Sequence, residues 1–483
     1  MKKNILYRLY TGAFIGICLI PSALMPFVKD GESKEKRTLS ELPKLKTTEG
    51  KLNINYLSDL GGYFSEHFAF RQQLVTADGR IKTALTATSP NTDVIDGTDG
   101  WLYYSATLDD YLNINTMNAR QISGICHDLR LVNEYCGRSG KSFLFTSVPN
   151  KSSLYPEHMP FNYVPADAPD NYELLSAELA GEPFYLDMKA ALADTGSSIP
   201  LYHATDTHWN NLGAYAGHCA IMGALGRETC PADNWTVEAD GRLGDLAAMI
   251  YPAEDAKDTQ VNSDHAFTYE YQGHFKALDD VTIDTVSESG EGSLLMYRDS
   301  FGEALLPYMA EMFASAEFSR ITPYRFDEAA ISKGDTVILE IVERNLPRLA
   351  RTAPFMPAPE VDADTVFFTP SKYVGEFSEK ENCPVIDWAD IPVHIAQNGA
   401  FTLITGALPE SFFSGDSASV YITVNGTTFE AFRASEYTDC GNGFSAYIPA
   451  DTEFDSIEVF TQCSDGLAVA VEVPADKMIR KEQ

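Results

Sequence analysis

Ser293-Leu-Leu-Met-Tyr297-Arg-Asp-Ser300-Phe-Gly302 passes from an apolar run through a polar turn into a stretch where Leu305, Met309, Met312 and Phe313 recur at three- and four-residue steps. That pattern predicts a short buried strand handing over to a helix. Two further runs have the same character, Phe143-Leu144-Phe145 to Val148 and Val337-Ile338-Leu339 to Val342. Strands apolar on both faces, alternating with helical segments, imply a parallel sheet in an α/β domain. Ligands of such sheets bind beyond the carboxyl ends of the strands. The polar residues at the three ends are therefore candidates for one crevice: Asn150 and Lys151, Arg298 and Ser300, Arg344 and Asn345. As solvated loop residues or caps, Asn150, Lys151, Arg344 and Asn345 would need no function at all.

A serine at a strand-to-helix turn stands above the sheet, beside helix N–H groups that have no partner within the helix and can stabilise an oxyanion. An Asp-Ser pair before a helix is also a common cap. The segment His203-Ala-Thr-Asp206-Thr-His208-Trp209-Asn210 supplies what such a serine needs. A carboxylate two residues from an imidazole can hold it in one tautomer through Nδ1–H and leave Nε2 free as a base. Asp206, His208 and Ser300 thus form a candidate triad. His203, Asp206 and His208 are alternatively metal ligands, but a nearby fourth ligand is missing, since His218 falls on the helix expected after Asn210. The expectation is a site without metal or organic cofactor. Trp209 and Trp235 fit either a sugar-stacking platform or the core.

Several segments together resemble the DHHW proteins, relatives of the AlgX/AlgJ-like alginate O-acetyltransferases within the SGNH-hydrolase superfamily. They are Phe64-Ser-Glu-His67-Phe-Ala-Phe-Arg71, Asp99-Gly-Trp101-Leu-Tyr103, Val148-Pro-Asn150-Lys151 with Tyr155-Pro-Glu157, Asp206-Thr-His208-Trp209-Asn210, and Arg298-Asp-Ser300-Phe-Gly302. Thr207 replaces the second residue of the motif that names the family. The resemblance implies an SGNH-hydrolase-like sheet flanked by helices, with Asp206 and His208 as the acid–base pair and Ser300 as nucleophile. It further implies acyl transfer, most simply of acetyl, to or from hydroxyls of a surface or secreted polysaccharide. A membrane-bound O-acyltransferase would be the partner that delivers the acyl group. Arg298, Asn345, Asn150, Lys151, Arg344 and Trp209 are the expected oxyanion or substrate contacts. Two other readings keep the fold: a carbohydrate esterase with water as acceptor, and a non-catalytic glycan-binding or envelope-assembly protein.

With 483 residues, 44% hydrophobic and 11% aromatic, the chain has room for two or three globular domains. Its formal charge of −33 argues against nucleic acid and fits a neutral glycan more readily than a polyanionic one. Eight cysteines are present without a C-x-x-C pair, so a zinc ribbon is not indicated. Cys126 and Cys136 are expected on one helix, about 15 Å apart, where they cannot bridge.

Lys2, Lys3 and Arg8 precede an uncharged run from Leu9 to Val28. Residues 1–28 are expected to be either a single-pass anchor with an outside remainder or a cleaved signal peptide. No Ala-x-Ala site precedes Lys29. Residues 29–52 read as a polar stalk, 53–352 as the α/β domain and 353–375, with Pro354, Pro357 and Pro359, as a linker. Residues 376–483 read as an acidic β-sandwich, possible as a carbohydrate-binding module, whose Asn425-Gly426 is a strong hairpin signal. Between Cys230 and Gly292 lies a polar insertion containing Arg242-Leu-Gly-Asp245-Leu246, which either lines a groove or is decoration.

Overall fold

The computed structural model describes residues 2–28, 39–46, 50–86, 89–254, 257–361, 391–413, 415–463 and 466–480. Its central sheet has seven strands, and the three apolar runs lie side by side in it. Ser142–Val148, Thr336–Val342 and Ser293–Tyr297 are consecutive parallel neighbours, Val337 opposite Phe143 and Leu295. Their carboxyl ends therefore share one edge, which brings residues 149–151, 298–300 and 343–345 together. Tyr185–Leu186 adds a parallel strand on one side and Ser315–Ser319 on the other. The sheet is not wholly parallel, because Thr282–Val286 and Glu270–Gln272 extend it antiparallel. Alternate burial along Thr282–Val286 suits an antiparallel strand with one wet face.

Period-two alternation splits the central strands between two cores. Phe143, Phe145, Leu295, Tyr297, Val337 and Leu339 face the helices Ala119–Arg138 and Asn171–Leu179. Leu144, Leu294, Met296, Ile338 and Val342 face Met188–Ala193, Asn211–Ala224 and Gly302–Met312. The long helix Ala119–Arg138 begins in a capping box between Asn118 and Gln121 and carries the buried Cys126 and Cys136.

The C-terminal strands form a five-stranded and a four-stranded sheet, and buried residues of both, Ile404 and Ile422 among them, belong to the same apolar cluster as the first face of the central sheet. Asn425 and Gly426 take the positive φ values of 51° and 84° that the two-residue hairpin demands. Over its described part the proline-rich segment is stitched into this region: Ala358 N–H donates to Tyr447 O, and Glu360–Val361 pairs with Thr427–Glu430. Residues 362–390, the rest of the expected linker and the start of the expected sandwich, lie outside the described residues.

The N-terminal run forms the helix Lys2–Leu24. The anchor expected over residues 1–28 finds no support, since among the described residues no helix is long and apolar enough to cross a membrane. The helix stops at Leu24, leaving an uncharged stretch from Leu9 of about 24 Å, against about 30 Å of hydrocarbon. Tyr10, Thr11, Pro21 and Ser22 dilute its apolar character further. Much of the expected stalk, residues 29–38 and 47–49, is outside the described residues.

Candidate active site

Ser300 is held by the residue before it. Asp299 Oδ1 accepts from Phe301 N–H at 2.9 Å, which closes the turn, and Oδ2 accepts from Val342 N–H at 2.8 Å and Asn345 Nδ2 at 3.1 Å. One carboxylate thus ties the serine turn to the end of the neighbouring strand. Gly302 opens the helix because a Cβ there would lie 2.6 Å from Arg298 Cβ and 2.7 Å from its Cδ.

The partner segment is a tight loop between Tyr202 and Trp209, which face each other in an antiparallel bridge. His203 N–H donates to His208 O, and Asn210 N–H donates to Leu201 O before its side chain caps the helix Asn211–Ala224 through Gly213 N–H. Lys151 fills the inside of this loop. Its ammonium donates to the carbonyls of His203, Ala204 and Asp206 at 3.1, 3.0 and 2.7 Å, which satisfies all three of its N–H bonds. Burial pushes the Lys151 pKa down to about 7, against the pull of Asp206, Asp245 and Asp258.

Sheet edge and loop bring the two halves into contact. His208 Nδ1 lies 2.7 Å from Asp206 Oδ1, and Nε2 lies 2.8 Å from Ser300 Oγ. Asp206 is buried and fully engaged: Oδ1 also accepts from His208 N–H, and Oδ2 accepts from Arg242 and from Asp245 N–H. Phe301 packs its ring 4.9 Å from that of His208.

The other expected contacts sort by burial. Arg344 is half-buried, its guanidinium 5.5 Å from the Phe301 ring centre and 3.5 Å from Asn150 Oδ1. Asn345 reaches the serine only through Asp299. Asn150 is buried, with its amide 3.3 Å from Asp110. Three more positions expected to touch substrate are enclosed as well. Lys151 lies under the loop, Trp209 is a core residue donating to Phe301 O at 3.0 Å, and Arg298 donates back into the 278–280 turn at Leu278 O. Their heads are buried with inward partners, so they can act on a ligand only through other residues. His203, the third ligand of the metal reading, is buried against Thr259 O instead. The carboxylates that do approach His208 are Asp206 and Asp245. A cation there would have to displace the Arg242 guanidinium and the Nδ1 hydrogen bond.

Arg242, Thr207 and Asp245 went unassigned in the sequence. Arg242 and Asp245 sit in an aperiodic polar insertion, and only the Arg-Leu-Gly-Asp-Leu string marked the place. The insertion forms a hairpin, Thr236–Leu243 with Lys257–Asn262, followed after its first strand by the helix Asp245–Ile250.

The fold and this edge define the class, an α/β domain in which a serine and a histidine meet beyond the carboxyl ends of the central parallel strands. Residues 94–285 match the family described as "SGNH hydrolase-like domain, acetyltransferase AlgX"; the match ends before the strand that leads to Ser300. The probable alginate O-acetylase AlgJ of Pseudomonas syringae pv. tomato is 29% identical over 122 residues, 25% of this chain and 30% of its own length. The chain thus spans under a third of that curated relative. Among solved structures, a DHHW family protein from Eubacterium siraeum is 18% identical over 52% of this chain and 91% of its own, with a TM-score of 0.40. Pseudomonas aeruginosa AlgX is 13% identical over 84% of this chain and 95% of its own, with a TM-score of 0.34. The family match and the AlgJ relative support the DHHW and AlgX/AlgJ-like resemblance carried by the motifs.

Proposed function

We propose that the chain is a Ser-His-Asp O-acyltransferase that acetylates hydroxyls of a polysaccharide outside the cytoplasm. The observation that carries this is the unbroken run of short contacts from Asp206 through His208 to Ser300. With its proton on Nδ1, His208 accepts the Ser300 proton at Nε2 as Oγ attacks the acyl carbonyl. Asp206 steadies the imidazolium that forms. Backbone N–H groups at Ser300 and the first turn of Gly302–Met312 are the oxyanion donors. His208 then returns the proton to the leaving group. A sugar hydroxyl, deprotonated by the same nitrogen, accepts the acyl group and frees Ser300. Arg344, half-buried over the Phe301 ring, is the side chain assigned here to direct ligand contact. In this reading a membrane-bound O-acyltransferase supplies the acyl group. The N-terminal segment directs the chain out of the cytoplasm as a cleaved signal.

The test is to load Ser300 from a labelled acetyl ester and offer oligosaccharides. Label moving to sugar is the expected outcome, and label released only as acetate would make the protein an esterase. A folded protein that never takes label at Ser300 would leave glycan binding as the function. Ser300→Ala, His208→Ala and Asp206→Ala should each lower turnover by orders of magnitude. Fractionation decides localisation: recovery in the cytosolic fraction would defeat the envelope placement.

A further inference from the structure

Two carboxylates, not one, approach the outer nitrogen of His208. Asp206 Oδ1 is 2.7 Å from Nδ1 and Asp245 Oδ2 is 3.6 Å away. The gap to the second is bridged by a hydroxyl. Thr207 Oγ1 lies 3.0 Å from His208 Nδ1 and donates to Asp245 Oδ2 at 2.6 Å. A hydroxyl has one proton and two lone pairs. Once its proton points at Asp245, its lone pairs are the part of Thr207 that faces the imidazole N–H. Asp245 is itself anchored, its Oδ1 accepting from Thr207 N–H at 2.8 Å, and it is buried.

We propose that Thr207 and Asp245 are positioning residues forming a second relay to His208, so that the base is oriented by Asp206 directly and by Asp245 through the Thr207 hydroxyl. This rests on His208 being the base, as argued above. A cation meets the pair of acids directly, the Arg242 guanidinium on Asp206 Oδ2. The relay joins the insertion to the chemistry, since Asp245 begins the helix Asp245–Ile250 while Thr207 belongs to the histidine loop. It also gives the residue that departs from the family motif a specific task. The competing account is that Asp245 merely fastens the backbone at Thr207. That account needs only the Thr207 N–H, which survives replacement of the side chain.

Thr207→Val, which is isosteric and keeps the N–H bond, separates the two. On a chromogenic acetyl ester, Thr207→Val alone should lower kcat no more than about tenfold with KM unchanged. Losing a triad acid outright typically lowers kcat about 10⁴-fold. Here Asp206→Ala should lose only about 10²-fold, because the second relay remains. Asp206→Ala with Thr207→Val should fall to the level of His208→Ala, while Asp206→Ala with Thr207→Ser should stay at the level of Asp206→Ala alone. An Asp206→Ala variant already as inactive as His208→Ala would overturn the relay, as would a Thr207→Val change with no effect in the Asp206→Ala background. The downfield proton resonance of His208 Nδ1–H gives a readout that needs no turnover. It should persist in Asp206→Ala and vanish in the double variant. If it persists while Ser300 never accepts label, the acyl-transfer reading fails and the relay stands; if it vanishes with Asp206 alone, the relay fails whatever the chemistry.

Discussion

Glu343 shows how single side chains at the sheet edge are held at an energetic cost. It follows the Thr336–Val342 strand directly and is fully buried, accepting from Asn150 N–H at 2.6 Å and Ser153 Oγ at 2.9 Å. Burial outweighs those bonds and pushes its pKa up from 4.5 to about 7. The folded state therefore keeps a proton that the unfolded chain releases above its ordinary carboxyl range. Stability from this group is full below pH 4.5 and is lost as pH rises through about 7. At about 1.4 kcal/mol per unit the loss amounts to about 3 kcal/mol. Glu343→Gln should flatten the fall in unfolding free energy between pH 5 and pH 8, measured by denaturant titration. An unchanged slope would mean that Glu343 is not protonated in the fold. Ser300 and His208 were readable as residues because a nucleophile before a helix and an Asp-x-His pair are local patterns. Asp245 was not, because nothing local distinguishes a carboxylate that will fold against an imidazole 37 positions away from one that stays in water.

Among the elements, the histidine loop and the serine turn each depend on one residue that cannot be exchanged. Lys151 occupies the loop with three carbonyl bonds and sits 5.2 Å from the Tyr103 ring centre and 5.6 Å from that of Trp101. Lys151→Met fills similar space but strands two buried acceptors, the carbonyls of His203 and Asp206, while Ala204 O keeps the Leu102 N–H; the change should destabilise by about 2–6 kcal/mol. If His208 is the base as proposed, its mark on catalysis should be a fall in kcat larger than any rise in KM, because the loop then carries the base and not the binding surface. At the serine turn, Gly302→Ala drives a methyl against the Arg298 stem, and the helix or the turn must shift. Overpacking of this kind costs about 1–3 kcal/mol. Thermal melts and ester turnover of Gly302→Ala should both drop, and a variant with unchanged turnover would show that the turn tolerates the shift. The strands themselves were legible from their unbroken apolar runs, since a strand buried on both faces has no polar position to hide it. The antiparallel edge was not, because Glu270–Gln272 is three exposed residues without a pattern.

At the scale of the whole molecule, the C-terminal sheets are fastened to the helix Ala119–Arg138 by two buried arginines. Arg120 donates to the carbonyls of Gly415, Asp416 and Ala418 and stacks its guanidinium 3.4 Å from the Phe413 ring centre. Arg433 donates to Ser123 Oγ and to the carbonyls of Asp416 and Ser417, and its own N–H donates to Asp128 at 2.9 Å. His127 meets Asp128 at 3.0 Å and Glu430 at 2.8 Å. With a shared apolar core and these bonds, the two parts should melt as one calorimetric transition. Arg433→Met should lower the midpoint and separate the transition into two; a single unshifted transition would show that the apolar core alone couples them.

The sequence by itself determined the three apolar strands, the helices after Ser300 and Asn210, and which three residues can make a Ser-His-Asp set, because periodicity, turn chemistry and the Asp-x-His spacing act over a few residues. Only the tertiary structure decided that the three apolar strands are neighbours, that Ser300 meets His208, and that the insertion returns Arg242 and Asp245 to the same imidazole. It also decided that Lys151, Trp209 and Arg298 face inward. Those outcomes depend on contacts between segments tens of residues apart, where burial and hydrogen-bond satisfaction select the partner and no local pattern encodes it.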